Sequence, residues 1–212
     1  MSAPALPALG VMQLWLHVGW ALVVAGGVTA VLARLTTRFT ARVAVLRAVA
    51  AALAVWTMLP GPYSSAYWLG LAFQAPSGVL ALVCGLLGWR ALRTTKGQAP
   101  AGEPAGVLGL ACVGVLGGWV LLMDAFAQWP WAVYGWGFGR AALAALTVMA
   151  LLPLLQKDAY RRATAWLMPG ALLLFAALRL PTGNVWDAVL DPWLWVFLHG
   201  VVLRAAYRRW RH

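Results

Sequence analysis

Acidic side chains are nearly missing from this chain, with five Asp and Glu among 212 residues. Charge of both signs together reaches only 10%, where a soluble domain carries about 25%. A chain this short cannot hide 63% apolar residues in one water-soluble core. The shortage of charge therefore argues against an ordinary soluble enzyme and against disorder. Cysteine is also scarce. Cys84 and Cys112 lie 28 positions apart inside apolar stretches, which excludes a disulfide scaffold and a periplasmic CxxC thiol exchanger. Lysine occurs only at Lys96 and Lys157, outside every apolar run, so no retinal-type Schiff base can form within a span. No phosphate loop, HExxH metal motif or nucleophile elbow is present, and no residue is assigned a catalytic role.

What remains is apolar sequence in blocks. Seven segments can be drawn, Val11–Ala33, Val43–Leu59, Tyr67–Trp89, Ala105–Ala127, Val133–Leu155, Ala163–Leu178 and Ala188–Leu203. A membrane-crossing helix needs about 20 apolar residues. The first, third, fourth and fifth segments meet this, and the others do so with their flanks. The expected fold is all-α, a polytopic transmembrane bundle of seven spans, or six if segment six or seven is re-entrant. It forms one integral domain over residues 1–212.

Basic residues set the orientation. Arg34, Arg38, Arg42 and Arg47 follow the first segment, Arg90, Arg93 and Lys96 the third, and Lys157, Arg161 and Arg162 the fifth. Arg204, Arg208, Arg209 and Arg211 form a basic tail over 204–212. The alternate loops, 60–66 and 128–132, carry no charge. Cytoplasmic loops are enriched in Lys and Arg. The pattern thus places the N-terminus in the periplasm, and the loop 95–104 and the C-terminus in the cytoplasm. Ala, Arg and Gly usage points to a bacterial inner membrane. The net charge of +11 sorts into these loops, which argues against nucleic acid as a partner.

The ionisable residues left over gather towards the outer side. These are Asp124, Arg140, Arg179, Asp187 and Asp191, with His17 and His199 at similar depth. Charge inside a bilayer is costly. Two readings follow, ion pairs of Arg140 and Arg179 with the aspartates, or an outer-leaflet pocket in which Arg receives an anionic group. Nine of the fourteen tryptophans (Trp15, Trp56, Trp68, Trp129, Trp131, Trp136, Trp186, Trp193 and Trp195) fall near the same side, with Trp20 deeper. An interfacial belt explains some of them, and a pocket for a flat or isoprenoid ligand could use the rest. His17 and His199 could face each other as ligands of a b-type haem or another metal, or each could bond a neighbouring carbonyl.

Pro76 and Pro169 interrupt spans, and Gln74 and Ser77 flank the first break. Rows of small residues, Ser77/Ala81/Gly85, Gly114/Gly118 and Gly137/Ala141/Ala145, mark helix contacts within the chain or between copies. The expected function is binding of a hydrophobic ligand or cofactor, haem or quinone in kind, in a periplasm-facing pocket of Arg140, Arg179, Asp124, Asp187, Asp191, Gln74, Trp20 and Trp136. Its setting would be a redox-linked membrane complex. The alternatives are a small-solute transporter or channel, and a structural or assembly subunit packed against other membrane subunits.

Overall fold

The computed structural model describes residues 6–36, 42–93, 105–128, 130–156 and 163–211. The expected loop 95–104, Arg38, Trp129, the basic cluster at 157–162 and His212 lie outside the described residues. Among the described residues the chain is helical and contains no strand.

Ten α-helices follow in order among the described residues. They are α1 (Leu9–Leu35), α2 (Arg42–Met58), α3 (Ser65–Phe73), α4 (Gly78–Arg93), α5 (Ala105–Ala125) and α6 (Val133–Trp136). After these come α7 (Arg140–Leu151), α8 (Leu167–Leu178), α9 (Val185–Val189) and α10 (Pro192–Trp210). Short 3-10 turns extend α7 through Leu155 and precede α8 from Ala163. A single π turn, Leu22–Gly26, sits inside α1.

Among the described residues only α1 and the Gly106–Ala125 stretch of α5 are individually long and apolar enough to cross a bilayer. The other expected spans are shorter or pieced together. The run Tyr67–Trp89 is two helices, because Pro76 has no N–H to continue the ladder and Gln74 turns to φ +62 at the end of α3. The run Val133–Leu155 starts its long helix only at Arg140. Gly135, Gly137 and Gly139 occupy a series of tight turns ahead of it. The last helix begins at Pro192, capped by Asp191, and continues to Trp210. The basic tail is thus largely the end of α10, with Arg204, Arg208 and Arg209 on the helix.

Helix α4 is the hub. It packs on α1 and α2 on one side and on α8, α9 and α10 on the other. The α1–α4 contact is backbone to backbone. A Cβ on Gly88 would sit 2.6 Å from Gly26 Cα, and one on Gly26 would run into the Cys84 carbonyl. The expected row in α4 is therefore real, with Ala81 buried and Gly85 against Leu22. Gly114 and Gly118 also serve within the chain, receiving Leu198 and Trp195 of α10. The third row does not form a seam. Gly137 is outside the helix, pressed on Asn184 and Trp186, while Ala141 and Ala145 are exposed. A second core joins α7, α8 and α9 through Leu146, Ala150, Leu172, Phe175, Val185 and Ala188.

Candidate ligand cavity

The polar residues singled out from sequence form the joints of one end of the bundle. The broken backbone at 74–77 comes first. Trp20 Nε1 donates to the Gln74 carbonyl (2.8 Å), and Trp15 Nε1 donates to the Pro76 carbonyl (3.0 Å). The Ser77 amide donates to Asp191 Oδ2 (2.8 Å), while Asp191 Oδ1 accepts from Leu194 N (2.8 Å). One carboxylate thus starts α10 and closes the break before α4. Trp15 and Trp20 are buried, and both act as donors to backbone that Pro76 left without helical partners. The Gln74 side chain is exposed. The Gln74 and Pro76 carbonyls and the Ser77 amide at the break are thus all paired within the chain.

The second joint ties the segment after α5 to the segment after α8. Asp124 Oδ2 accepts from Tyr134 N (2.7 Å). Asp187 Oδ2 accepts from the Tyr134 hydroxyl (2.7 Å) and from the Thr182 hydroxyl. Asn184, fully buried, donates to the Tyr134 carbonyl (3.0 Å) and accepts from Trp186 N (3.0 Å). Trp186 Nε1 donates to the Val133 carbonyl (3.1 Å).

The arginines stand apart from this network. Among the described residues no ion pair joins Arg140 or Arg179 to an aspartate. Arg140 is exposed at the first turn of α7. Arg179 ends α8 at φ +58, with its guanidinium 5.4 Å from the Phe175 ring centroid. Hydroxyl and amide donors satisfy the carboxylates, and ion pairing is replaced by capping. Trp136 is exposed and lines no cavity described below.

The histidines are not brought together. His17 Nδ1 bonds the Gln13 carbonyl (3.0 Å) on α1, and His199 Nδ1 bonds the Trp195 carbonyl (2.8 Å) on α10. Helix α1 packs among α2, α3 and α4, whereas α10 packs on α5 and α4. His199 instead joins an aromatic cluster, edge-on to Trp195 at 4.8 Å and to Trp119 at 6.4 Å. Among the described residues no three His, Cys, Asp or Glu side chains gather as a metal site.

A further feature of the described residues was not visible in the sequence. A cavity of about 460 Å³ lies among α4, α5, α7, α8, α9 and α10. Its α4 wall runs from Val79 to Arg90, about 17 Å of helix at 1.5 Å per residue. Trp186, Val189 and Leu190 close the aspartate end, and Thr164 and Arg90 the opposite end. Between them the lining is almost wholly aliphatic. Gly117 borders it with nothing within 4 Å of where its Cβ would be. The gap exists because α5 is held chiefly by α10. Trp195 keys into Gly118 and donates to the Val115 carbonyl (3.0 Å) on the far side of the pair. Of the expected pocket residues, none lines this cavity. Their neighbours Trp186 and Leu194 do, each one to three positions from an aspartate.

No protein-family model matches the chain, and neither curated proteins nor solved structures give a match.

Proposed function

We propose that the chain is a multi-pass integral protein of a bacterial inner membrane that binds a long apolar ligand in the cavity between α4, α5, α8 and α10. In this reading α1, α2, the α3–α4 pair, α5, α7, α8 and α10 make seven crossings. The aspartate end faces the periplasm and the arginine end the cytoplasm. Helix burial supports the membrane setting. The apolar windows of α1 and α5 are only 28% and 11% buried, whereas a core helix of a soluble protein is mostly covered. Leu71, Leu173 and Val196, on α3, α8 and α10, are more than 60% exposed. Such surface is stable against lipid and not against water. Arg34, Arg47, Arg90, Arg93, Arg204 and Arg208 fall on one side under this arrangement, as the positive-inside rule requires.

The observation that carries the ligand reading is the cavity itself, elongated, aliphatic and within the size range of small-molecule sites. A prenyl tail, such as a quinone bears, or a lipid acyl chain matches that shape and chemistry. Neither His17 nor His199 lines it, so the haem version of the ligand loses its axial partners there.

The test is organic extraction of the purified protein followed by mass analysis. About one prenyl or acyl molecule per chain is expected, and the mass separates a quinone from a membrane lipid. Gly117→Phe, which projects a ring into free space, should abolish retention while leaving the protein monodisperse. Wild type and Gly117→Phe releasing the same apolar molecules in the same amount would overturn the reading.

A further inference from the structure

A separate hollow lies on the opposite face of α4. It measures about 330 Å³ and is bounded by α1, α2 and α4. Its walls are built mainly from small residues, Ala25 and Gly26 of α1, Ala50 and Ala54 of α2, and Gly85 and Gly88 of α4. Where Cβ atoms are few, the walls are flat, and the hollow opens to the helix surface. Trp89 stands at its edge, half-exposed.

One polar side chain lines this slot. Thr29 is completely buried, and its Oγ1 has no hydrogen-bond partner. A threonine in a helix ordinarily returns its hydroxyl to the carbonyl three or four residues back, as Thr57 and Thr147 do here. Thr29 does not, and it lies three residues beyond the π turn at Leu22–Gly26. Such turns are frequent at functional positions. A buried hydroxyl without a partner is destabilising unless something supplies one. Water is a poor candidate in a slot of alanine and glycine, because it needs two to four polar partners.

We propose that the α1–α2–α4 slot binds a planar ring bearing a carbonyl or hydroxyl, with Thr29 Oγ1 as its hydrogen-bonding partner. The Gly/Ala walls select for flatness, and Thr29 fixes the ring's polar edge. This site is independent of the larger cavity, since α4 stands between them.

Menadione, a small flat dione without a long tail, is the probe. Its equilibrium binding to the full chain in detergent micelles is measured by dialysis. Saturable binding of one molecule per chain is expected. Thr29→Val should weaken it about tenfold, the scale of one lost hydrogen bond, and Thr29→Ser should restore it. Ala54→Phe should block it by filling the slot, and Gly117→Phe, in the other cavity, should leave it unchanged. Equal affinity in wild type and Thr29→Val would overturn the proposal. So would no saturable binding, or loss of binding in Gly117→Phe with retention in Ala54→Phe. A failed lipid extraction with a positive menadione result sinks only the cavity reading, and the reverse sinks only this one.

Discussion

Helix α4 meets its neighbours in two opposite ways. Towards α1, glycine faces glycine and the two backbones touch at Gly26 and Gly88. Towards α5, Val79, Val83, Leu86 and Leu87 look across an unfilled cavity. In a membrane, helices are held by close packing of small residues rather than by escape from water. In the membrane setting proposed above, the α1–α4 contact would use that attraction fully. The α4–α5 gap forgoes it, and α5 is secured from its other side by Trp195. Large side chains alone thus do not close an interface, and of the two glycines on the α5 wall Gly114 receives Leu198 while Gly117 leaves room.

The same substitution on the two walls separates them most sharply. Gly88→Leu must push α1 away from α4 and should cost about 3 kcal/mol or more, the upper range for overpacking. Loss of the monodisperse peak on size-exclusion chromatography would register it. An intact peak with unchanged thermal stability would break the comparison. Next in size is Asp191→Ala, which acts where α4 begins. It removes the cap of α10 and leaves the Ser77 amide unpaired, together about 2–4 kcal/mol. A fall in the thermal midpoint checks this, and Asp191→Asn should recover part of it through its remaining oxygen. Smallest is Gly117→Leu. Its side chain enters open space, so the midpoint should move by less than about 1 kcal/mol. A drop comparable to that of Gly88→Leu would mean that the cavity wall is as tightly packed as the α1 contact.

Helical content and the position of the Pro76 break were legible, because apolar runs and a missing amide act locally. The Gly114/Gly118 contact was legible for the same reason, since four-residue spacing stacks both on one face. The roles of Trp15, Trp20 and Asp191 were not. Their partners lie 61, 54 and 114 positions away, and no spacing rule links an indole to a distant carbonyl. The aspartates are visible in the sequence as charge among apolar runs, and arginine is the partner that charge alone suggests. The structure answered with amides and hydroxyls, which every stretch of chain can supply and which therefore leave no signature. The cavity was least legible of all. It depends on which helices are neighbours, and on α5 leaning towards α10, neither of which composition encodes.

The Ser77–Asp191 bond also carries a consequence for the order of biogenesis. The amide that opens α4 waits for an acceptor made 114 residues later. At ordinary synthesis rates that interval is roughly 6–23 s. In the membrane setting proposed above, a ribosome delivering this chain into a bilayer would release the first four helices before their polar seam could be sealed. The final helix then acts as a latch that the nascent protein receives last. Chains truncated before α10 are expected to be left with an open seam, and to be recognised by membrane quality-control proteases at that point.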